Sequence, residues 1–284
     1  MRINTNISAM NTYSRLTSAN SAKSGSLAKL SSGLRINKAG DDAAGLAISE
    51  KMKNQVSGMT QATRNAQDGI SLIQTAEGAL SETHSILNRM RDLTVQAAND
   101  TNTNDDRLAI QTEIDSLTAE VDRIAGDTEF NTKNLLDGNK SFSFQIGSNA
   151  GQTIDVAISD MSANALLGAT VAADETVTGG ITVSGADDDA VIDFDAALTQ
   201  IDTAIESVST QRADLGAVQN RLDHTISNLS TTKENLSEAN SRIVDVDMAE
   251  EMMSFTKNNI LSQAATSMLA QANQMPQGVL SLLQ

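Results

Sequence analysis

Between residues 198 and 243 one set of apolar positions recurs every seventh residue: Ile201, Val208, Leu215, Leu222, Leu229, Leu236 and Ile243. Such spacing brings side chains back to one side of an α-helix and predicts a long helix packed along a continuous rod core. The companion positions Leu198, Ile205, Arg212, Gln219, Ile226, Lys233 and Asn240 are interrupted by polar residues, which fits a bundle better than a simple dimer. An N-terminal segment has two stripes. One holds Val56, Met59, Ala66, Ile70, Ile73, Leu80 and Leu87; the other holds Leu72, Ala76, Ala79, Ile86, Met90, Leu93 and Ala97. Two stripes mean packing on two sides. At about 1.5 Å per residue both segments would run roughly 65–70 Å, so they are expected to lie antiparallel.

After the polar run NDTNTNDDR, Ile110, Ile114, Leu117, Val121 and Ile124 predict a third helix folded back on the first, with Asp105 or Asp106 as its N-cap. The period then changes to two. Phe142, Phe144 and Ile146, then Ile154, Val156 and Ile158, flank the turn-like SNAGQ and predict one β-hairpin. Residues 168–190 are small, acidic and rich in Gly, as expected of an exposed variable loop or minor strand pair.

Two further apolar segments lie outside the rod. The N-terminal arm carries Ile3, Ile7, Met10, Tyr13, Leu16, Leu27, Leu30 and Leu34. The C-terminal arm carries Met248, Met252, Phe255, Ile260, Leu261, Ala264, Ala265, Met268, Leu269 and Ala272, followed by Leu280 and Leu283. These side chains are too few to offset the backbone entropy of ordering each arm alone. The arms are therefore expected to gain order when copies of the chain bury them together, and repeated heterologous contacts of that kind build open helical polymers.

Composition narrows the picture. The 284 residues include five Phe, one Tyr and no Trp, so the core must be built from medium and small side chains, which suits helical bundles better than a compact globule. A formal net charge of −16 without a basic tract argues against nucleic acid as a partner. No apolar run is long enough to span a membrane, and the opening MRINTNISAMNTYSRL lacks the apolar stretch of a secretory signal peptide. The absence of cysteine excludes disulfides and thiolate metal sites.

Little chemistry is left for a catalytic reading. His84 and His224 are the only imidazoles, and neither has the companions of a metal site or a triad. Asp187, Asp188, Asp189, Asp193 and Asp195 lack the glycine and closing glutamate of a calcium loop and read as a solvated turn entering a helix. Gly33, Gly40 and Gly45 follow no predicted strand, so they suit a bend between arm and rod, with Asp41 or Asp42 capping the next helix. The expected fold is mainly α: a long antiparallel helical rod with a small β-hairpin region and paired terminal helical arms. No enzyme, cofactor or metal is expected.

The stretch LSSGLRINKAGDDAAGLAISEKM, residues 30–52, closely resembles the signature that joins arm to rod in bacterial flagellin. AQDGISLIQTAEGAL, LNRMRDLTVQAAND, EFNTKNLLDG, LGAVQNRLDHTISNL, SRIVDVDMAEEM and FTKNNILSQAATSMLAQANQMPQGVLSLL resemble other parts of that family, in the family's order. The resemblance covers roughly the first 140 and last 90 residues. It implies a division into arms 1–40 and 245–284 forming an inner tube, rod segments 41–140 and 191–244 forming the surrounding wall, and an outward segment 141–190.

The same resemblance implies a filament subunit for swimming motility, without the large outer domains of longer relatives. It implies unfolded export through the flagellar type III apparatus to an extracellular filament, with an export chaperone on the C-terminal arm. Lack of cysteine and a solitary Pro276 suit rapid refolding after such passage. Filament cap and hook-junction proteins are implied partners. So is a Toll-like receptor of animal hosts, at Arg89, Leu93 and Glu113; read without the family, those residues are a packing leucine and two solvated rod charges. The alternative within the superfamily is a hook-filament junction protein, and the C-terminal NILSQAATSMLAQANQMPQGVLSLL favours the filament subunit.

Overall fold

A computed structural model describes residues 6–172, 176–184 and 193–281, with side chains up to 274. Six helices account for most of it: α1 (Ile7–Ser32), α2 (Ala43–Ala97), α3 (Asn104–Asp127), α4 (Ala163–Leu167), α5 (Phe194–Val244) and α6 (Met248–Ser281). The strands are short: β1 (Glu129–Phe130), β2 (Lys133–Asn134), β3 (Lys140–Gln145), β4 (Thr153–Ile158), β5 (Ala169–Val171) and β6 (Val177–Gly179). The mainly α fold expected from the pattern is the one observed. Contacts divide the chain into two compact units, 1–56 with 233–284, and 57–232.

In the 57–232 unit α2 and α5 run antiparallel. Arg91 pairs with Asp202 at 2.7 Å and Glu77 with Arg212 at 3.8 Å, so residue numbers rise on one helix as they fall on the other. Helix α3 returns along α2: Arg89 meets Glu113 at 2.7 Å, and the Arg107 Nε donates to the Ala97 carbonyl at 3.1 Å. Leu72, Ile73, Ala76, Leu80, Leu87, Met90 and Leu93 are all buried between these partners, so the two stripes of α2 do serve two sides. Thr83, Thr94 and Thr118 are buried as well, because each hydroxyl donates to the carbonyl four residues back and leaves only a methyl to pack.

The heptad seam of α5 closes only in part. Ile201, Val208, Leu215 and Leu222 are buried, whereas Leu229, Leu236 and Ile243 are half-buried, which corrects the expectation of one uniform rod core. The buried positions stand beside other elements: Gln200 donates to the Leu167 carbonyl of α4 and Gln211 to the Ala157 carbonyl of β4. Leu222 and the aromatic ring of Phe144 both approach Gly69, where the hairpin packs on the helices, and such cover adds a second wall around the seam.

Strands β3 and β4 form the expected hairpin, with Lys140 opposite Ile158 and Gln145 opposite Thr153. Ile154, Val156 and Ile158 point into the core, and Phe142, Phe144 and Ile146 pack against it. Two smaller features escaped the periodicity. Helix α4 begins at the Ser162 N-cap and ends at Gly168 in the left-handed region. The β1–β2 hairpin turns through Asn131 and Thr132, both at positive φ.

The segment after 168 takes the second of its two expected forms, a minor strand pair, and part of it is buried. Strands β5 and β6 pair there, and Ala169, Ile181 and Val183 are buried against the core. Side-chain amides hold it down. Gln111 donates to the Ile181 carbonyl at 3.0 Å and accepts from the Val183 N–H at 2.7 Å, as a neighbouring strand would. Gln211 does the same for β4, donating to Ala157 and accepting from Ser159, both at 3.1 Å. Residues 187–189 of the acidic stretch lie outside the described residues.

Helix α3 corrects the expected cap. Its N-cap is Thr103, whose hydroxyl accepts from the Asp106 N–H while Asp106 accepts from the Thr103 N–H, a reciprocal capping box. The Thr103 hydroxyl, which donates to the same carboxylate at 2.7 Å, and the Thr103 N–H hold the Asp106 carboxyl below its ordinary range. Between α1 and α2, Gly33 ends α1 at φ 70° in the left-handed region. Asp42 caps α2 by accepting from the Gly45 N–H at 2.9 Å. A Cβ on Gly45 would lie 2.7 Å from Ile36 Cδ1, so this glycine serves close packing and not a bend.

Candidate assembly surface

The terminal arms meet as two antiparallel helices. Asn6 donates to the Ala272 carbonyl at 2.8 Å, Ser262 to Asn20 at 2.8 Å, and Lys23 to Asn259 at 2.9 Å, while Lys29 and Glu251 pair at 3.8 Å. These contacts keep a constant register, with each step along α1 matched by an opposite step along α6. Below them Leu34 bridges Asp245, the Arg35 N–H donates to the Val244 carbonyl, and the Val246 N–H donates to Gly33. The neighbouring Asn37 and Lys38 N–H groups both donate to Asp41, holding its carboxyl below the usual range.

Polar side chains supply much of this register, and the apolar ones are left largely uncovered. Helix α1 buries only Ser26. Ile7, Met10, Tyr13 and Leu27 are exposed, and Leu16, Leu30 and Leu34 are half-buried. On α6, Met248, Met252, Met253, Ile260, Leu261, Ala264 and Met268 are exposed, Leu269 is half-buried, and Ala272 is buried. Every exposed large apolar residue among those described lies on α1 or α6, apart from Ile48, Val95 and Leu108. Ile3 and Leu283 lie outside the described residues, as does the side chain of Leu280. Between the two helices runs an open groove of about 650 Å³, with Arg15, Ser18, Ala22, Leu261, Ala265 and Met268 on its walls.

The expected receptor residues separate by burial. Arg89 and Glu113 are exposed and joined by two hydrogen bonds, at 3.0 and 2.7 Å, from the guanidinium to one carboxylate oxygen. Leu93 is 2% exposed and packs in the core, so it offers no apolar contact at this surface. Its place on the second stripe of α2 carries the physical reason. His84 is half-buried and His224 exposed, and no cluster of metal-ligating side chains occurs among the described residues. No helix among them is long and apolar enough to cross a membrane.

Sequence reasoning found the arms and the rod stripes but missed Gln111 and Gln211. A signal existed, since Gln111 follows the core residue Ile110 and Gln211 stands three residues after Val208 and four before Leu215, but a polar residue there reads as an interruption until the strand it serves is known.

The sequence matches known proteins over its whole length. Profiles of the bacterial flagellin N-terminal helical region and C-terminal helical region match residues 3–141 and 198–283. The chain is 58% identical over 304 residues to flagellin of Bacillus subtilis (strain 168), covering all of both chains. It is 47% identical over 294 residues to the flagellar filament 33 kDa core protein of Treponema phagedenis, again covering both completely. A structure from Vibrio parahaemolyticus, assigned to a flagellar hook-associated protein, shares the fold at a TM-score of 0.57. It is 18% identical, with 72% of this chain and 100% of that one covered. Two profiles flanking the central segment, together with full-length identity well above what a shared fold alone requires, place this chain in the bacterial flagellin family.

Proposed function

We infer that the chain is the structural subunit of a bacterial flagellar filament, polymerising outside the cell through its terminal arms to give swimming motility. The observation that carries this reading is the apolar surface of α1 and α6, left open in the single chain while comparable residues of the 57–232 unit are buried. A chain that leaves so many large apolar side chains of two paired helices uncovered has a partner for them. In an open helical polymer that partner is the same surface on other copies. Residues 1–40 and 245–284 then form the inner tube, 41–140 and 191–244 the wall, and 141–190 the outer face. The relatives are named as flagellins and filament core proteins, which agrees with a structural and not an enzymatic role.

The family further supports passage through the flagellar type III apparatus, with an export chaperone covering the C-terminal arm beforehand and cap and hook-junction proteins meeting the filament at its ends. The exposed face of α6 is the surface a chaperone would cover. Fragmented filaments used as seeds with purified monomer test the assembly role: electron microscopy should show long continuous growth from the seeds. Growth that stops after a short added segment would instead mark a hook-filament junction protein.

Recognition by a flagellin-sensing Toll-like receptor is proposed for the α2–α3 surface around Arg89 and Glu113, where a guanidinium fork and a carboxylate lie exposed. Leu93 supports that surface from beneath. Arg89→Ala should reduce activation of receptor-bearing reporter cells by about tenfold or more, the loss typical of an interface arginine anchor. Reporter cells that stay silent on unsubstituted monomer would remove the proposal.

A further inference from the structure

Of the eleven methionines, nine have described side chains; apart from the half-buried Met52 these fall into two groups. Met59, Met90 and Met161 of the 57–232 unit are buried, none more than 8% exposed. On the arms Met10, Met248, Met252, Met253 and Met268 are between 49% and 67% exposed. Met10 sits three residues from both Ile7 and Tyr13, Met252 four from Met248 and three from Phe255, and Met268 beside Ala264, Ala265 and Ala272, so these sulfurs have apolar neighbours on their helices, and Met253 shares a face with Ile260 seven residues on. The chain has no cysteine and no tryptophan. A two-electron oxidant meeting the single chain therefore finds the arm thioethers as its most accessible reducing side chains.

We propose that these five methionines are an oxidation site that controls assembly: peroxide converts them to sulfoxides in the free subunit and blocks polymerisation, while assembled subunits are protected. The inference rests on the filament reading above, since it needs the arm face to become buried between copies. The sulfur lone pair attacks one peroxide oxygen, and the O–O bond breaks. The departing hydroxide takes up the proton of the transferred hydroxyl, leaving a sulfoxide and water. Sulfur loses two electrons and the peroxide gains them.

The consequence follows from polarity. A thioether is flexible and apolar and suits an adaptable interface, whereas a sulfoxide carries a strong acceptor that must find a donor when buried. On the exposed monomer surface water supplies that donor. Against the apolar face of another copy nothing does, so the modification penalises the assembled state and leaves the folded subunit alone. Reductases specific for methionine sulfoxide, driven by a dithiol, reverse the change.

The test treats monomer and finished filaments with the same dilute hydrogen peroxide, locates the added oxygens by peptide mass spectrometry, and measures elongation from seeds. The five arm methionines should oxidise before Met59, Met90 and Met161, elongation should fall by about tenfold or more, and methionine sulfoxide reductase with a dithiol should restore it. In filaments the same residues should oxidise at least about tenfold more slowly. Replacing Met10, Met248, Met252, Met253 and Met268 together with leucine should remove the further loss of elongation on peroxide treatment, whatever the variant's untreated rate, and reductase rescue of the original chain is the independent check. Oxidised monomer that elongates at the untreated rate, or arm methionines that oxidise equally fast in filaments and monomer, would overturn the proposal. Untreated monomer that never elongates would instead sink the filament reading itself.

Discussion

Charge placed on the exposed face of α6 abolishes filament growth while the monomer stays folded: this is the expected result for Met253→Asp combined with Ile260→Asp. Both side chains are mostly in water in the single chain, 67% and 60% exposed, so the substitutions cost the monomer little beyond the weaker helix propensity of aspartate. Burial between copies changes the balance. An unpaired carboxylate moved into an apolar interface costs several kcal/mol, and two of them in every subunit should raise the concentration needed for growth by about a thousandfold or more. Sedimentation of seeded reactions measures the loss, and circular dichroism of the monomer checks that the helices persist. Growth of the double variant at the original rate would mean that this face of α6 is not an assembly surface.

The second large effect concerns the rod seam. Leu222→Ala should destabilise the monomer by about 2–5 kcal/mol, the range for a fully buried leucine, and Leu229→Ala by less than half as much. Both residues occupy the same heptad phase of the same helix and lie in the same unit, and they differ in cover, Leu222 being buried beside Gly69 while Leu229 is half-buried. Urea unfolding of the two variants compares them directly. Equal losses would show that the seam is sealed past Leu222 in solution.

This contrast also marks the limit of what periodicity can say. A heptad records which side of a helix is apolar, and Ile201 through Ile243 keep that record without a break. Whether each position is sealed depends on a second layer, here the β3–β4 hairpin, and that layer comes from residues far away in the chain. Thr103 teaches a similar lesson at shorter range. The run of polar residues before α3 held several possible caps, and the choice fell to the one whose helix start let Asp106 return the hydrogen bond.

The candidate surface was legible in a different way. Ile7, Met10, Ile260 and Met268 stand out because they lie in terminal segments outside the rod stripes, with too few apolar side chains to order either arm alone. Leu93 shows the converse. The family resemblance put it on a recognition surface, its helical phase put it on a packing stripe, and its burial follows the phase.

By itself the sequence determined the helices, the direction in which each presents its apolar stripe, the β3–β4 hairpin and the family, because these depend on spacing along one chain and on motifs read in order. The tertiary structure alone decided which stripes are closed, how Gln111 and Gln211 stand in for missing strands, and that the paired α1 and α6 keep many of their apolar residues in water. Burial is a property of two surfaces meeting, and a linear pattern specifies only one of them.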